Sequence, residues 1–129
     1  MSSTDLTRRK KALIIDDESD ICYLLSSILK QKNIHAVFAG SLGETDLILQ
    51  SAENFGYIFI DNYLPDGLGI TYIERIRHRF PETKLIMITA HDTSGERQQA
   101  EKNGADDFIS KPFSKEMILQ SLERASSGT

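Results

Sequence analysis

The sequence lacks the features that would support a disulfide, a thiolate metal centre or a membrane span. Cys22 is the only cysteine among 129 residues, so no internal disulfide can form and we expect a core thiol. No run of about 18 apolar residues is available to cross a bilayer. The charged N-terminal residues are not followed by an apolar segment of about 7 to 15 residues, as a secretory signal would require. We therefore expect a cytoplasmic protein without membrane contact.

An excess of basic residues is also missing. Lysine and arginine number 15 against 19 acidic residues, which gives a formal net charge of −4. A chain of this charge repels a phosphate backbone, and the basic run from Arg8 to Lys11 is too short to reverse that. We interpret residues 1–10 as a solvated leader and expect no direct binding of nucleic acid.

What is present fits one globular domain. Hydrophobic residues make up 40% and charged residues 26%, which is ordinary for a soluble domain of this length. We expect the domain to cover residues 11–126, followed by a short tail over residues 127–129.

Strand-like and helix-like patterns alternate along the chain. Short apolar runs predict strands over Lys11 to Ile15, His35 to Ala39, Tyr57 to Ile60, Leu85 to Ile88 and Phe108-Ile109. Apolar spacings of three and four predict helices over Ile21 to Lys32, Leu42 to Ala52, Ile70 to Ile76, Glu96 to Asn103 and Met117 to Ala125. Ser19 or Asp20 could cap the first helix, and Gly104 ends the fourth. Five strands, each followed by a helix, predict an α/β fold with one parallel sheet covered on both faces.

Polar residues follow the ends of four predicted strands. Asp16-Asp17 follow the first strand, Asp61 the third, Thr89 the fourth, and Lys111 the fifth. Ligands of open parallel α/β sheets bind at this edge. Each residue taken singly could be a turn or cap residue. Their common position at one edge of one sheet indicates a site.

These residues resemble the receiver domains of bacterial two-component response regulators. The resemblance is carried by Asp16-Asp17, by Asp61 with Pro65 and Gly69, by Thr89-Ala90 and by residues 104–113, and it covers roughly residues 11–125. It implies a flavodoxin-like, CheY-like (βα)5 three-layer sandwich whose five-stranded parallel sheet has the order 2-1-3-4-5. That order would bring the carboxylates after the first and third strands together.

Converging carboxylates need a counter-charge. Like charges about 4 Å apart repel by roughly 4 kcal/mol at an effective dielectric of about 20. A ligand set made only of oxygen suits Mg²⁺. The resemblance implies that Asp17, Asp61 and the backbone carbonyl of Tyr63 bind Mg²⁺ directly, while Asp16 holds a metal-bound water.

The resemblance also implies the chemistry and the switch. Asp61 would accept the phosphoryl group as a nucleophile, and Lys111 would pair first with Asp61 and then with the phosphate. The peptide bond before Pro112 is expected to be cis. The Thr89 hydroxyl would respond to the added charge, and Phe108 would follow by becoming buried, although Phe108 also suits a plain core strand. The domain would catalyse only its own phosphorylation and dephosphorylation.

Two further expectations concern movement and phosphate lifetime. Between Glu96 and Lys102 only Ala100 suits burial, so the fourth helix should be weakly held and should carry much of the change. Tyr63 and His91 flank the line along which water would attack the phosphoaspartate. Tyr63 could hinder that water and His91 could orient it or donate to the phosphate, unless both are merely exposed loop side chains.

The resemblance implies several partners. A sensor histidine kinase or histidine phosphotransfer protein would dock over the first helix and the Pro112-Phe113 loop. Ile21 and Leu24 are candidate apolar anchors, although Leu24 suits the core equally well. The fourth helix, fifth strand and fifth helix would control a downstream effector domain or protein, and phosphorylation could promote a homodimer.

Two alternatives compete with a phosphorylated receiver. A phosphatase of the haloacid dehalogenase type also uses an aspartate nucleophile and Mg²⁺, but it needs a second acid where Tyr63 stands, and it carries a cap domain that this chain lacks. A receiver-like module that has lost phosphorylation is the other alternative, which the presence of Asp61, Thr89 and Lys111 disfavours.

Overall fold

The computed structural model describes residues 10–51, 54–91 and 93–127. The expected leader therefore lies almost wholly outside the described residues, as do Ala52 and the last two residues of the expected tail. Within the described part, the chain folds into strands and helices that alternate as the sequence predicts.

Seven strands and five helices make up the fold of the described residues. The strands are β1 (Lys11–Ile15), β2 (His35–Ala39), β3 (Tyr57–Asp61), β4 (Tyr63–Leu64), β5 (Gly67–Leu68), β6 (Lys84–Thr89) and β7 (Asp107–Ser110). The helices are α1 (Ser19–Lys30), α2 (Leu42–Gln50), α3 (Gly69–Arg79), α4 (Ser94–Asn103) and α5 (Lys115–Ser127).

Five of the strands form one parallel sheet in the order β2-β1-β3-β6-β7. Counted along the chain without the short strands β4 and β5, this is the expected order 2-1-3-4-5. In the register, Ile15 pairs with Ile60, Asp61 with Ile88, and Thr89 with Ser110. The carboxyl ends of β1, β3, β6 and β7 therefore lie side by side at one edge.

Two apolar cores cover the two faces of this sheet. Ala12 and Ile14 point to the face covered by α1 and α5, whereas Leu13 and Ile15 point to the face covered by α2, α3 and α4. This alternation follows from the two-residue period of a strand, and burial on both faces explains why β1 and β3 are continuously apolar. The expected three-layer sandwich is thus confirmed.

The structure corrects three details of the predicted elements. Neither Ser19 nor Asp20 caps α1, because both lie inside the helix and Glu18 is the N-cap residue, without a side-chain hydrogen bond. The helices α1 and α2 end at Lys30 and Gln50, earlier than the apolar spacing predicts.

The third correction is a short hairpin that the sequence does not predict. Strands β4 and β5 pair antiparallel, with Tyr63 opposite Leu68. The Asp66 carboxylate between them accepts hydrogen bonds from the backbone N–H groups of Leu42 and Gly43, at 2.8 and 2.9 Å. The hairpin is thereby tied to the N-terminus of α2.

No helix within the described residues is both long and apolar enough to span a bilayer.

Candidate functional site

Carboxylates from two strand ends meet around one ammonium group at the edge of the sheet. Oxygen atoms of Asp16, Glu18 and Asp61 lie within 4.8 Å of one another. The Lys111 Nζ lies 2.8 Å from an oxygen of Asp16, 2.8 Å from one of Glu18 and 3.5 Å from one of Asp61. The lysine therefore stands between Asp16 and Asp61, two of the carboxylates that the strand order was expected to bring together, and Glu18 supplies the third carboxylate.

The charges of this cluster are largely removed from water. Side chains of Asp16, Asp61 and Lys111 are all less than a tenth exposed, whereas Glu18 is more than half exposed. Burial alone would lower the pKa of Lys111, but the carboxylates of Asp16 and Glu18 outweigh burial and hold that pKa above its usual value. The ammonium is therefore fully charged at neutral pH.

Nearby opposite charges offset the cost of burial for Lys111 but not for Asp61. Burial raises the pKa of Asp61, and the Lys111 ammonium and two backbone N–H groups only partly offset this effect, while Asp16 raises the pKa further. A buried carboxylate held against its own desolvation keeps an electron-rich oxygen beside a cation. This is a suitable arrangement for a nucleophile that attacks phosphorus.

The loop after Asp61 is fixed by an asparagine and a glycine. The buried Asn62 side chain accepts a hydrogen bond from the Ile70 N–H at 2.8 Å, and its backbone carbonyl accepts one from the Gly69 N–H at 2.7 Å. A Cβ at Gly69 would lie 2.2 Å from the Asp61 carbonyl oxygen, so only glycine permits this close approach. The N-terminus of α3 thereby locks the chain beside Asp61.

Thr89 ends the strand β6, which pairs with β3, and two rings lie just beyond the ends of these strands. Thr89 is fully buried at the end of β6, and its hydroxyl oxygen accepts a hydrogen bond from the His91 N–H at 3.2 Å. The His91 ring contacts the Tyr63 ring, with centroids 4.3 Å apart and planes tilted by 50°. Both side chains are exposed, as one reading of the sequence allowed, but their rings are in contact with each other.

The two aspartates that follow β1 differ in burial. Asp16 is buried, and one of its oxygens accepts a hydrogen bond from the Glu18 N–H at 2.9 Å. Asp17 is exposed and is not part of the carboxylate group. Glu18 is the third carboxylate of the group, together with Asp16 and Asp61. The sequence analysis did not predict it, although it is the next residue of the same acidic run. The Lys111-Pro112 peptide bond is cis, as expected.

The switch candidate Phe108 is half-buried on β7. Its ring packs against the core that α2, α3 and α4 cover, and the Arg97 guanidinium lies over it, 4.6 Å from the ring centroid. Arg97 and Phe108, with Glu101 and Asp106, also line an open groove of about 430 Å³ between α4 and β7. Phe108 is therefore not a plain core residue, because one side of it faces this groove.

The candidate docking residues differ in how much of each side chain is exposed. Leu24 is 47% exposed, so it does not belong to the core, whereas Ile21 and Phe113 are partly buried against the core.

Burial raises the pKa of the Cys22 thiol to about 11, and the Cys22 Sγ donates to the Asp16 carbonyl at 3.4 Å. Cys22 is therefore the unreactive core thiol that was expected.

The residues of this cluster fit a divalent metal ion with oxygen ligands. One Asp16 oxygen is buried and, among the described residues, is compensated by the Lys111 ammonium at 2.8 Å. A buried carboxylate oxygen that already faces a cation is well suited to a hard cation such as Mg²⁺. No sulfur or imidazole ligand lies in the group, which disfavours zinc.

Comparison with known proteins agrees with this geometry. The sequence-family model for the response regulator receiver domain matches residues 12–123 of the chain. Response regulator protein PilR of Pseudomonas aeruginosa is 39% identical over 104 residues, which are 81% of this chain and 23% of PilR. The chain thus spans about a quarter of the length of this relative.

Two solved structures share the fold and more than a quarter of the sequence. The beryllofluoride-activated NtrC4 receiver domain dimer has a TM-score of 0.84 at 34% identity, with 90% of this chain and 95% of that chain covered. A response regulator from Burkholderia pseudomallei, described with a phosphorylated aspartic acid and a calcium ion, has a TM-score of 0.81 at 29% identity. That match covers 92% of this chain and 70% of the other.

Proposed function

The chain belongs to the response regulator receiver domain family of two-component systems, and from this premise we propose that it accepts a phosphoryl group on Asp61. The observation that carries the proposal is the buried Asp61 carboxylate beside Asp16 and the Lys111 ammonium. The Burkholderia pseudomallei structure, described with a phosphorylated aspartic acid, supports transfer to an aspartate.

Each side chain of the cluster has a separate task in this proposal. An Asp61 oxygen forms the new bond to phosphorus, and the bond between phosphorus and the donor breaks with its electron pair leaving on the donor. Lys111 pairs with the charge that gathers on the phosphoryl oxygens, for which its Nζ is already placed. Thr89, buried at the end of the neighbouring strand, then supplies a hydroxyl for a phosphate oxygen.

We propose Mg²⁺ as the metal of this site. Asp16, Asp17, Asp61 and the Tyr63 backbone carbonyl are the proposed ligands, with Asp16 acting through a water, and the position of Glu18 makes it a further candidate. Bound Mg²⁺ supplies charge stabilisation for the phosphoryl oxygens during transfer. Lys111 must then give up part of its contact with Asp16, because both cations would use the same carboxylate.

The proposed partners follow from the surfaces. A sensor histidine kinase or phosphotransfer protein would dock on α1, where Leu24 is exposed, and near Phe113. Movement of α4, β7 and α5 would pass the signal to an effector domain or protein, with Thr89 and Phe108 as the switch residues. The NtrC4 receiver structure is a dimer, which supports a proposed activated homodimer for this domain.

Phosphorylation by a small donor tests the proposal. The chain is incubated with acetyl phosphate and Mg²⁺, and intact-protein mass spectrometry counts the phosphoryl groups. We expect one group on the wild type, none on Asp61→Asn, and one on Asp20→Asn, which removes an exposed carboxylate of α1. A wild type without phosphate would instead indicate a module that has lost phosphorylation, and an Asp61→Asn variant that still takes it up would refute Asp61 as the acceptor.

A further inference from the structure

The Tyr63 side chain joins the loop after Asp61 to the first turn of α4. Its hydroxyl donates a hydrogen bond to Glu96 Oε1 at 2.5 Å, while its ring rests against His91. Strands β3 and β6 are neighbours in the sheet. Tyr63 lies two residues after the end of β3, and His91 lies two residues after the end of β6. The tyrosine thus spans the ends of two neighbouring strands and is anchored at a third point, the helix.

The anchor on α4 is itself well fixed. The Thr93 hydroxyl caps the helix by accepting a hydrogen bond from the Glu96 N–H at 3.1 Å. A carboxylate in the first turn is also favoured by the helix dipole. The second carboxylate oxygen of Glu96 is buried and has no hydrogen-bond partner among the described residues. Because the acceptor is a carboxylate, the hydrogen bond from the Tyr63 hydroxyl is charge-assisted.

We propose that Glu96 is a positioning residue that lengthens the life of the phosphorylated state, by holding the Tyr63 ring against His91 as a shield over Asp61. This inference rests on the proposed phosphorylation of Asp61. In the hydrolysis that the shield opposes, a water oxygen bonds to phosphorus and the bond from phosphorus to Asp61 breaks. The electron pair of that bond returns to the carboxylate, and the water protons leave with phosphate and solvent.

The physical basis is restriction of the ring. Tyr63 is 43% exposed, so packing alone does not immobilise it. The hydroxyl bond fixes the far end of the side chain, and the contact with His91 fixes its face. Without the bond to Glu96 the ring can rotate away, and water gains access to the phosphoryl group from the side on which the ring had lain.

The experiment measures the first-order loss of phosphate from the phosphorylated chain after the donor is removed, with Mg²⁺ present. We expect Glu96→Ala and Tyr63→Phe each to increase this rate about fivefold, the equivalent of one ordinary hydrogen bond. The double variant should be no faster than either single variant, because both remove the same contact. Glu101→Ala removes an exposed charge from the same helix and should keep the wild-type rate.

A second measurement separates positioning from a loss of structure. The Glu96→Gln variant keeps a neutral acceptor and should give an intermediate rate. Urea unfolding should show that Glu96→Ala and Glu101→Ala both remain fully folded under the conditions of the rate measurement.

The possible results are distinguishable. Unchanged or slower hydrolysis in Glu96→Ala, or additive effects in the double variant, would overturn the positioning role while leaving phosphorylation of Asp61 intact. A wild type that takes up no phosphate would overturn the proposed function and this inference together. Faster hydrolysis in Glu101→Ala as well would assign the effect to helix charge and would also refute the proposal.

Discussion

Asp61 is held in the fold at an electrostatic cost. It lies 95% buried beside Asp16, and Lys111 shares its single ammonium between these two carboxylates and Glu18. Burial therefore outweighs the lysine and raises the Asp61 pKa above its usual value. Strain of this kind at a reactive group is common, because a site shaped for a transferred charge is not relaxed before that charge arrives.

Replacing Asp61 with asparagine should stabilise the metal-free domain. The amide has the same shape without the charge, and Lys111 keeps Asp16 and Glu18 as partners, so we expect a gain on the order of 1 kcal/mol in the free energy of unfolding at neutral pH. Urea titrations with a chelator present would measure it.

The sign of the pH dependence follows from the raised pKa. Below the usual pKa of a carboxyl group, Asp61 is protonated in both the folded and unfolded states and costs nothing. As the pH rises through the usual value towards the folded-state pKa, only the unfolded state ionises freely, so the wild type loses stability relative to Asp61→Asn. The gap should then stay constant at higher pH. A gap that is largest in acid, or an equal gain in Asp20→Asn, would contradict this explanation.

The sequence predicted which strands would bring polar residues together, but not every side chain that points inward. Asp16, Asp61 and Lys111 converge because they follow parallel strands that pair in register. Past the strand end the two-residue alternation no longer applies, and the backbone dihedrals of a loop decide direction. Asp17 therefore faces solvent while Glu18, at the N-cap of α1, reaches Lys111.

At the scale of elements, α4 differs from the other helices in how little it buries. Ala100 is its one buried residue, whereas α1 buries Cys22, Leu25, Ile28 and Leu29. Polar contacts tie it to other elements instead: the Asn103 amide donates to the Ile70 carbonyl of α3 at 2.8 Å, and Glu96 accepts a hydrogen bond from the Tyr63 hydroxyl. Few apolar contacts imply a small free energy of local opening.

Amide exchange should therefore be faster in α4 than in α1. We expect protection factors at least about tenfold lower for residues 97–103 than for residues 22–30, since each factor of ten corresponds to about 1.4 kcal/mol of opening free energy. Hydrogen–deuterium exchange with mass spectrometry would show it, and α3, which buries five residues, serves as the well-packed reference. Equal protection in α1 and α4 would contradict a loosely held switch helix.

The predictable elements were those with a long apolar pattern. Strands buried on both faces and amphipathic helices were located within a few residues, because the period of burial is written in the chain. The hairpin β4–β5 was missed because each of its two-residue strands contains only one apolar aliphatic residue, which is too little for a recognisable strand pattern. Its position depends on a distant contact, the Asp66 carboxylate at the N-terminus of α2, which no local pattern reveals.

On the scale of the whole molecule, one arginine connects segments far apart in sequence. The Arg77 guanidinium donates to the carbonyls of Pro81, Thr83 and Gly104, and to the Asp106 carboxylate at 2.6 Å. It thereby joins α3 to the turn before β6 and to the loop between α4 and β7. Gly104, at φ 118°, lets the loop approach so closely that a Cβ there would lie 2.9 Å from the arginine stem.

Arg77 should therefore contribute to global stability, unlike its neighbour Arg75. We expect Arg77→Met to lower the free energy of unfolding by about 2 to 3 kcal/mol, because it leaves partly buried carbonyls and a carboxylate without their donor. Arg77→Lys should recover only part of this loss, since an ammonium cannot reproduce the planar fork. Urea unfolding would measure both variants.

Arg75→Met is the matched control for this prediction. Its side chain is 69% exposed and 3.8 Å from Asp46, so its loss should cost less than about 0.5 kcal/mol. Equal costs for the two methionine variants would mean that the fork contributes no more than a surface charge. A cost confined to Arg77 would show that its guanidinium ties the loop between α4 and β7 to α3, so that the C-terminal end of α4 is held at Gly104.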